Sequence, residues 1–217
     1  MVNDVNAGVR HPVFARLYPR MARAMDRGGL VEHRRQLLAG LRGDVVEVGA
    51  GPGGNFPHYP PAVARVVAVE PEPGLQAIAR RAAAEAPVPV EVVDGVAERL
   101  PVPDGSADAV VYCLVLCSVP DSAAALAEAR RVLRPGGELR VLEHVRADER
   151  PWLVRVQRWM DATFWPVLAA GCHVGRDTTS LIEQAGFTPD RIDRFLFPDV
   201  RTPFSTHILA TARTGTR

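Results

Sequence analysis

The sequence predicts an α/β protein built from βαβ units around a parallel sheet. From Asp44 onward, short runs rich in valine and other apolar residues alternate with helical, alanine-rich stretches. The run Ala107 to Leu116 (ADAVVYCLVL) is apolar at neighbouring as well as alternate positions, as a central parallel strand covered on both faces requires.

Ahead of the sheet, Val13, Phe14, Leu17, Tyr18, Met21 and Met25 recur at i, i+3/i+4 spacing with arginines between them, which predicts a helix that ends at Gly28-Gly29. Leu30 to Leu41 reads as a second helix. Val45 to Val48 is a strand entering a glycine loop, Arg65 to Glu70 the next strand, Leu75 to Ala86 a helix and Val88 to Val93 a strand. Ala123 to Leu133 is a helix stopped by Pro135-Gly136-Gly137, and the strand Glu138 to Glu143 follows it. Trp152, Val156, Trp159, Met160 and Phe164 mark an amphipathic helix. Leu181 to Ala185 closes a short helix at Gly186, and Arg191 to Phe197 and Ser205 to Thr211 are the final strands. No repeat, low-complexity tract or charged linker divides the chain, so residues 1–217 read as one domain.

Composition narrows the function. With 26 basic residues against 25 acidic, the formal charge of +1 argues against a nucleic-acid partner held by bulk electrostatics. Every one of the basic residues is arginine, which excludes a Schiff-base lysine and a P-loop lysine. Three cysteines, Cys113, Cys117 and Cys172, include no CxxC pair and no Cys/His spacing that suits zinc; neither a disulfide framework nor a metal is expected. Charged residues break up the first thirty positions and no long apolar run occurs, so neither a signal peptide nor a transmembrane helix is expected. The expected location is cytoplasmic. The chain carries no signal for oligomeric state.

The segment Glu47-Val48-Gly49-Ala50-Gly51-Pro52-Gly53-Gly54 lies where a strand should turn towards a helix. Glycines there let backbone N–H groups approach a ligand. Gly49, Gly51 and Gly54 form a literal G-x-G-x-x-G, which admits a dinucleotide. Glu70 ends the next strand 19 residues after Gly51, where a carboxylate can accept from both ribose hydroxyls of an adenosine. Two features favour S-adenosylmethionine over a diphosphate. Pro57, Pro60 and Pro61 leave no long helix behind the glycines to hold a pyrophosphate, and Glu47 would repel one while attracting a sulfonium.

Four blocks in order, VVEVGAGPG, AVEPE, AERLPVPDGSADAVV and RRVLRPGGEL, resemble the class I S-adenosylmethionine-dependent methyltransferases between about Asp44 and Val145. The resemblance implies a seven-stranded, mostly parallel, Rossmann-like sheet flanked by helices, with its last strand antiparallel. It also implies a division into an N-terminal helical lid (1–43), a cofactor-binding core (44–145), a helical cap on the acceptor side (146–186) and C-terminal strands (187–217). Gly49, Gly51 and Gly53 are then expected around the methionine part, Glu70 on the ribose and Val96, Ala97 and Glu98 beside the adenine. Many relatives have Asp where this chain has Val96, so Asp94 or a backbone carbonyl would accept from the adenine amino group. Glu47, Ala50, Asn55, Pro71, Cys113 and Leu114 complete the expected cofactor contacts. A narrower likeness, carried by GPGGNFPHYPP, LVLCSV, EHV, the W…Q…D…W run and GCHVGRDT, is to methyltransferase-like proteins whose animal members methylate thiols. Those members have an apolar N-terminal membrane segment; this chain has an arginine-studded amphipathic helix, read as a lid and alternatively as a peripheral contact with anionic lipid.

Methyl transfer from a sulfonium needs alignment, desolvation and a deprotonated acceptor. A thiol of pKa about 8.5 is already a few per cent thiolate at neutral pH, whereas an ammonium needs more help. The expected acceptor is a small lipophilic molecule, a thiol ahead of a phospholipid amine or a C- or O-nucleophile of quinone or polyketide type. A non-catalytic cofactor-binding protein and a nicotinamide-dependent oxidoreductase stand further off. His144, just past a central strand, is the candidate base, with Glu143 either orienting it or satisfying backbone donors. Cys117, Ser118, Trp159, Cys172 and His173 are the candidate acceptor contacts.

Overall fold

Burial on both faces explains the strands. The last four residues of β1 (Gly43–Val48) and nearly all of β4 (Ala107–Cys113) are buried, and their side chains alternate between two apolar layers. Val46, Val48, Val110 and Tyr112 join one cluster, which α4 (Ser122–Val132) and α7 (Thr178–Gln184) cover with Leu126, Ala129 and Ile182. Val45, Val111 and, from β2 (Val63–Val69), Val66 and Ala68 join the other. There α2 (Val31–Leu38) and α3 (Pro73–Ala83) supply Leu37, Leu38 and Ala79. The computed structural model describes residues 12–215; residues 1–11, the start of the expected lid, lie outside the described residues.

With β3 (Val90–Val93), β5 (Leu133–His144), β6 (Phe187–Leu196) and β7 (Thr206–Thr214), the described residues form one seven-stranded sheet in the order β3-β2-β1-β4-β5-β7-β6. Strands β1 to β5 pair in parallel, while β7 runs antiparallel to both β5 and β6. The seven-stranded sheet with one reversed strand is therefore as expected. Chain order reverses between β1 and β4, so the loops after these strands part and leave a crevice at their carboxyl ends.

Local chemistry sets the boundaries. Helix α1 (Pro12–Met25) passes through a π turn, Asp26–Leu30, where Gly29 takes φ +112°, and so ends where the glycine pair predicted. Asp121 and Asp177 cap α4 and α7 by accepting from Ala124 N and Ser180 N. Two boundaries differ from expectation. Strand β4 stops at Cys113 because Leu114 takes φ +59°, with its N–H turned to Leu142 O. Pro135-Gly136-Gly137 does not separate helix from strand; β5 begins at Leu133 and runs through it with a register shift against β4.

Helix α5 (Pro151–Ala162) is fastened by one side chain. Gln157 is fully buried, its Oε1 accepts from Ala147 N at 3.0 Å, and its Nε2 donates towards Val145 O, Val174 O and Pro203 O at 2.9–3.2 Å. One turn later Asp161 accepts from Val174 N and Gly175 N. Thus α5 holds the segment that follows α6 (Trp165–Leu168) against the end of β5. Replacing Gln157 with Ala strands several buried backbone groups; urea unfolding is expected to register a loss on the order of 3 kcal/mol, against a few tenths for exposed Gln36→Ala.

Candidate active site

A cavity of about 600 Å³ fills the crevice at the carboxyl ends of β1, β2 and β4, within the size range of small-molecule sites. Four loops border it: Gly49 and Gly51 after β1, Glu70 to Glu72 after β2, Gly95, Ala97 and Glu98 after β3, and Leu114, Val115 and Ser118 to Pro120 after β4. Phe14, Ala15 and Tyr18 of α1 and residues of the 166–176 segment complete it.

The glycine loop is held by the acidic residue that follows it. Gly49 and Gly51 take φ +66° and +56°, and a Cβ on Gly49 would lie 2.6 Å from the Val115 side chain. Gly51 N donates to Glu70 Oε2 at 2.7 Å, and Glu72 N donates to Oε1 at 3.0 Å. Burial raises the Glu70 carboxyl to about 7, against these two bonds, which lower it. Each oxygen keeps a lone pair for a ligand hydroxyl.

Glu47 is elsewhere. It alternates with Val46 and Val48 on β1 and so faces the opposite side of the sheet, where Oε1 accepts from Asn55 Nδ2 (3.0 Å) and Oε2 from Tyr59 OH (2.7 Å). Asn55 Oδ1 accepts from Arg34 Nη1, which also reaches Cys113 Sγ, while Arg34 Nε pairs with Asp26. Glu47, Asn55 and Cys113 therefore underpin the glycine loop and are not among the residues that line the cavity, where they were expected. Ala50 and Gly53 lie in the same loop away from the cavity wall; Phe56 packs where a Gly53 side chain would stand. Asp94 receives Gln76 Nε2, and Val96 is buried in a bridge to Arg99, so Gly95, Ala97 and Glu98 form the third wall. Pro71 and Leu114 line the cavity.

The acceptor-side expectations divide in the same way. Ser118 and His173 line the cavity. Trp159 does not: 61% of it is exposed on the outer face of α5. Glu143, wholly buried, accepts from Val115 N (2.6 Å), Leu116 N (2.7 Å) and Cys117 N (3.4 Å), so of its two expected roles it has the second, holding the loop after β4. His144 lies behind the wall with Nε2 3.1 Å from Cys172 Sγ, out of the cavity it was expected to serve as base. Cys117 and Cys172 flank the same ring and are likewise behind the wall.

Sequence reasoning missed Phe14 and Tyr18 as site residues, although their i, i+4 spacing on an apolar stripe was the available signal. Their rings stack at 5.0 Å, and Tyr18 Cε1 lies 3.3 Å from where a Gly51 Cβ would be. The Tyr18 ring thus abuts the glycine loop, bringing a π system to the cavity beside it. Arg176 also lines the cavity, but its Nη1 is turned to Leu116 O, Val119 O and Ser122 Oγ.

These residues fit an adenosyl sulfonium better than a diphosphate. Glu70, Glu72 and Glu98 border the cavity against one arginine engaged with the frame, and only the three-residue turn Phe56–His58 stands behind the glycines.

Glu47, like Glu70, is raised by burial to about 7, although Tyr59 and Asn55 pull it down. Both carboxyls have an ordinary value of 4.5, so folding takes up protons between about 4.5 and 7. Their contribution to stability is complete below about 4.5 and is lost as pH rises through about 7. Glu47→Gln removes one such group: from about pH 5 to about pH 8 its stability relative to the parent is expected to rise by on the order of 1–3 kcal/mol. A pH-independent difference in chemical denaturation would refute this.

Residues 46–141 match the family model for the methyltransferase domain. The chain is 36% identical over 168 residues to the human thiol S-methyltransferase TMT1A, covering 75% of this chain and 68% of that one. To human TMT1B it is 36% identical over 180 residues, covering 81% and 73%. Among solved structures, a geranyl diphosphate methyltransferase in complex with SAM superimposes with a TM-score of 0.64 at 15% identity, covering 86% of this chain and 84% of that one. With this fold, use of S-adenosylmethionine is implied. The chain belongs to the class I S-adenosylmethionine-dependent methyltransferases, in the branch that holds the thiol S-methyltransferases, and is a methyltransferase.

Proposed function

We propose that this enzyme methylates the sulfur of a small, apolar thiol. The observation that carries the reading is the make-up of the cavity lining. The glycine loop and the carboxylates of Glu70, Glu72 and Glu98 line it together with an apolar set, Val115, Val119, Pro120, Pro166, Val167 and Ala170, of which Val115 stands against Gly49. The identity to TMT1A and TMT1B supports the same acceptor atom.

Gly49 and Gly51 are the residues to bind the methionine part, Glu70 the ribose, and Ala97 and Glu98 the adenine side, with Phe14 and Tyr18 over the charged centre. When bound, S-adenosylmethionine supplies an electrophilic methyl group on a sulfonium. The chain's part is to align and desolvate. An apolar wall excludes water from the acceptor and favours a reaction in which a thiolate and a sulfonium cancel their charges. A new carbon–sulfur bond forms as the old one breaks, and the electron pair stays on the departing sulfur. The thiol proton leaves before attack. His173 is the histidine that lines the cavity among the described residues and takes the place first given to His144. Because a thiol is partly ionised at neutral pH, no strong base is required.

Two measurements test the reading. Glu70→Ala is expected to weaken S-adenosylmethionine binding by about 1–3 kcal/mol, roughly 5- to 150-fold by calorimetry; undiminished affinity would remove Glu70 from the ribose. Incubation with S-adenosylmethionine and a panel of apolar thiols, amines and phenols, read by mass spectrometry, is expected to give S-methyl products. Methylation confined to amines or phenols would overturn the thiol assignment.

A further inference from the structure

Behind the cavity wall, three side chains that are far apart in sequence meet. Cys117, His144 and Cys172 bring two sulfurs and an imidazole nitrogen within 4.8 Å of one another. They come from the loop after β4, the last residue of β5 and the segment after α6. We infer that this cluster is a binding site for a soft divalent cation of the zinc class.

The ligand set has the right chemistry. Thiolate and imidazole together select zinc-like ions over calcium or magnesium, and two thiolates cancel the charge of a dication, so the buried unit is neutral. A tetrahedral ion with bonds of about 2.0–2.3 Å needs ligand atoms roughly 3.5–4 Å apart. The 3.1 Å contact of His144 Nε2 with Cys172 Sγ and the 4.8 Å limit bracket that spacing. Three protein ligands leave the ion one further vertex.

Both sulfurs have polar neighbours. Trp165 Nε1 donates to Cys172 Sγ at 3.4 Å, and Ser118 Oγ is within hydrogen-bond distance of Cys117 Sγ at 3.4 Å. His144 turns Nε2 to the sulfurs, 3.1 Å from Cys172 Sγ, while its Nδ1 has no hydrogen-bond partner among the described residues. Met160, Val174, Val156, Trp165 and Phe204 pack around the two cysteines and keep the site dry.

The backbone is fixed independently of any ion. Glu143 holds the N–H groups of residues 115–117, and His173 N donates to Cys117 O at 2.8 Å, placing the two cysteine segments side by side. Sulfur is a weak hydrogen-bond partner, so packing thiols against a buried imidazole gains little unless an ion joins them. Ser118 and His173 are immediate neighbours of the ligands and line the cavity, so the ion would brace the acceptor wall.

Cobalt(II) titration of the reduced, chelator-treated enzyme tests the site. One ion per chain is expected, with a thiolate-to-cobalt charge-transfer band and the intense d–d bands of a four-coordinate ion, both bleached by added zinc. Cys117→Ser and Cys172→Ser are expected to lose the charge-transfer intensity in steps, whereas Cys113→Ser, which alters the thiol outside the cluster, keeps it. Circular dichroism identifies any variant that does not fold, and the parent titration stands without the variants. No charge-transfer band in the parent, or an undiminished band in folded Cys117→Ser/Cys172→Ser, would overturn the assignment. So would a disulfide between Cys117 and Cys172 in a parent that takes up no cobalt after reduction. These readouts are independent of the acceptor, so the site and the thiol assignment can fail separately.

Discussion

Three buried carboxylates hold the loops from which the cavity is made. Glu47 on β1, Glu70 at the end of β2 and Glu143 near the end of β5 are each at most 5% exposed. A carboxylate taken from water must be matched by donors or take up a proton. Here the donors are loop groups: the Asn55 amide and Tyr59 hydroxyl for Glu47, Gly51 N and Glu72 N for Glu70, and the N–H groups of 115–117 for Glu143. The cost of burying charge is thereby converted into loop geometry. A loop that strays leaves both an acid and its own amides unpaired, a more severe penalty than the loss of an apolar contact.

The same arrangement gives the cavity its two characters. Where Glu70 closes on Gly51, carboxylates border the space, a setting for hydroxyls and positive charge. Where Glu143 closes on 115–117, its charge is hidden beneath the loop, and the surface above is Val115 and its apolar neighbours. Arg176 is handled similarly, with Nη1 fixed to carbonyls of the wall. Charge thus supports the acceptor side from behind while much of the lining is apolar, with Ser118, His173 and Arg176 as its polar members, which suits a reaction that consumes opposite charges.

The cap shows how a motif can be visible and still be misread. The tryptophans of α5 drew attention to this helix, yet Trp152 and Trp159 are both more than half exposed. The residues that fasten it are Gln157 and Asp161, one turn apart on the buried side, which satisfy five backbone groups between them at the shortest contacts. Helix α1 is the converse. Its Phe14 and Tyr18 turn towards the cavity, while Val13, Leu17 and Met21 remain exposed beside the arginines. None of the helices among the described residues is long and apolar enough to cross a membrane.

Local sequence determined the sheet, the helices around it, the glycine turn and the acid 19 residues beyond it, because these depend on apolar periodicity, backbone freedom and fixed offsets along the chain. It determined far less about which side chains meet. Glu47 is next to the glycine loop in sequence, but the two-residue period of a strand turns it to the other face of the sheet. His144 stands at the end of a central strand as expected, yet the neighbouring loops bring two cysteines to its ring and close it off from the cavity. Cys117 and Cys172 are 55 positions apart, a separation that matches no metal-ligand spacing along the chain. Only the tertiary structure could put them together, since their approach depends on how Glu143, Gln157 and Asp161 pin segments remote in sequence.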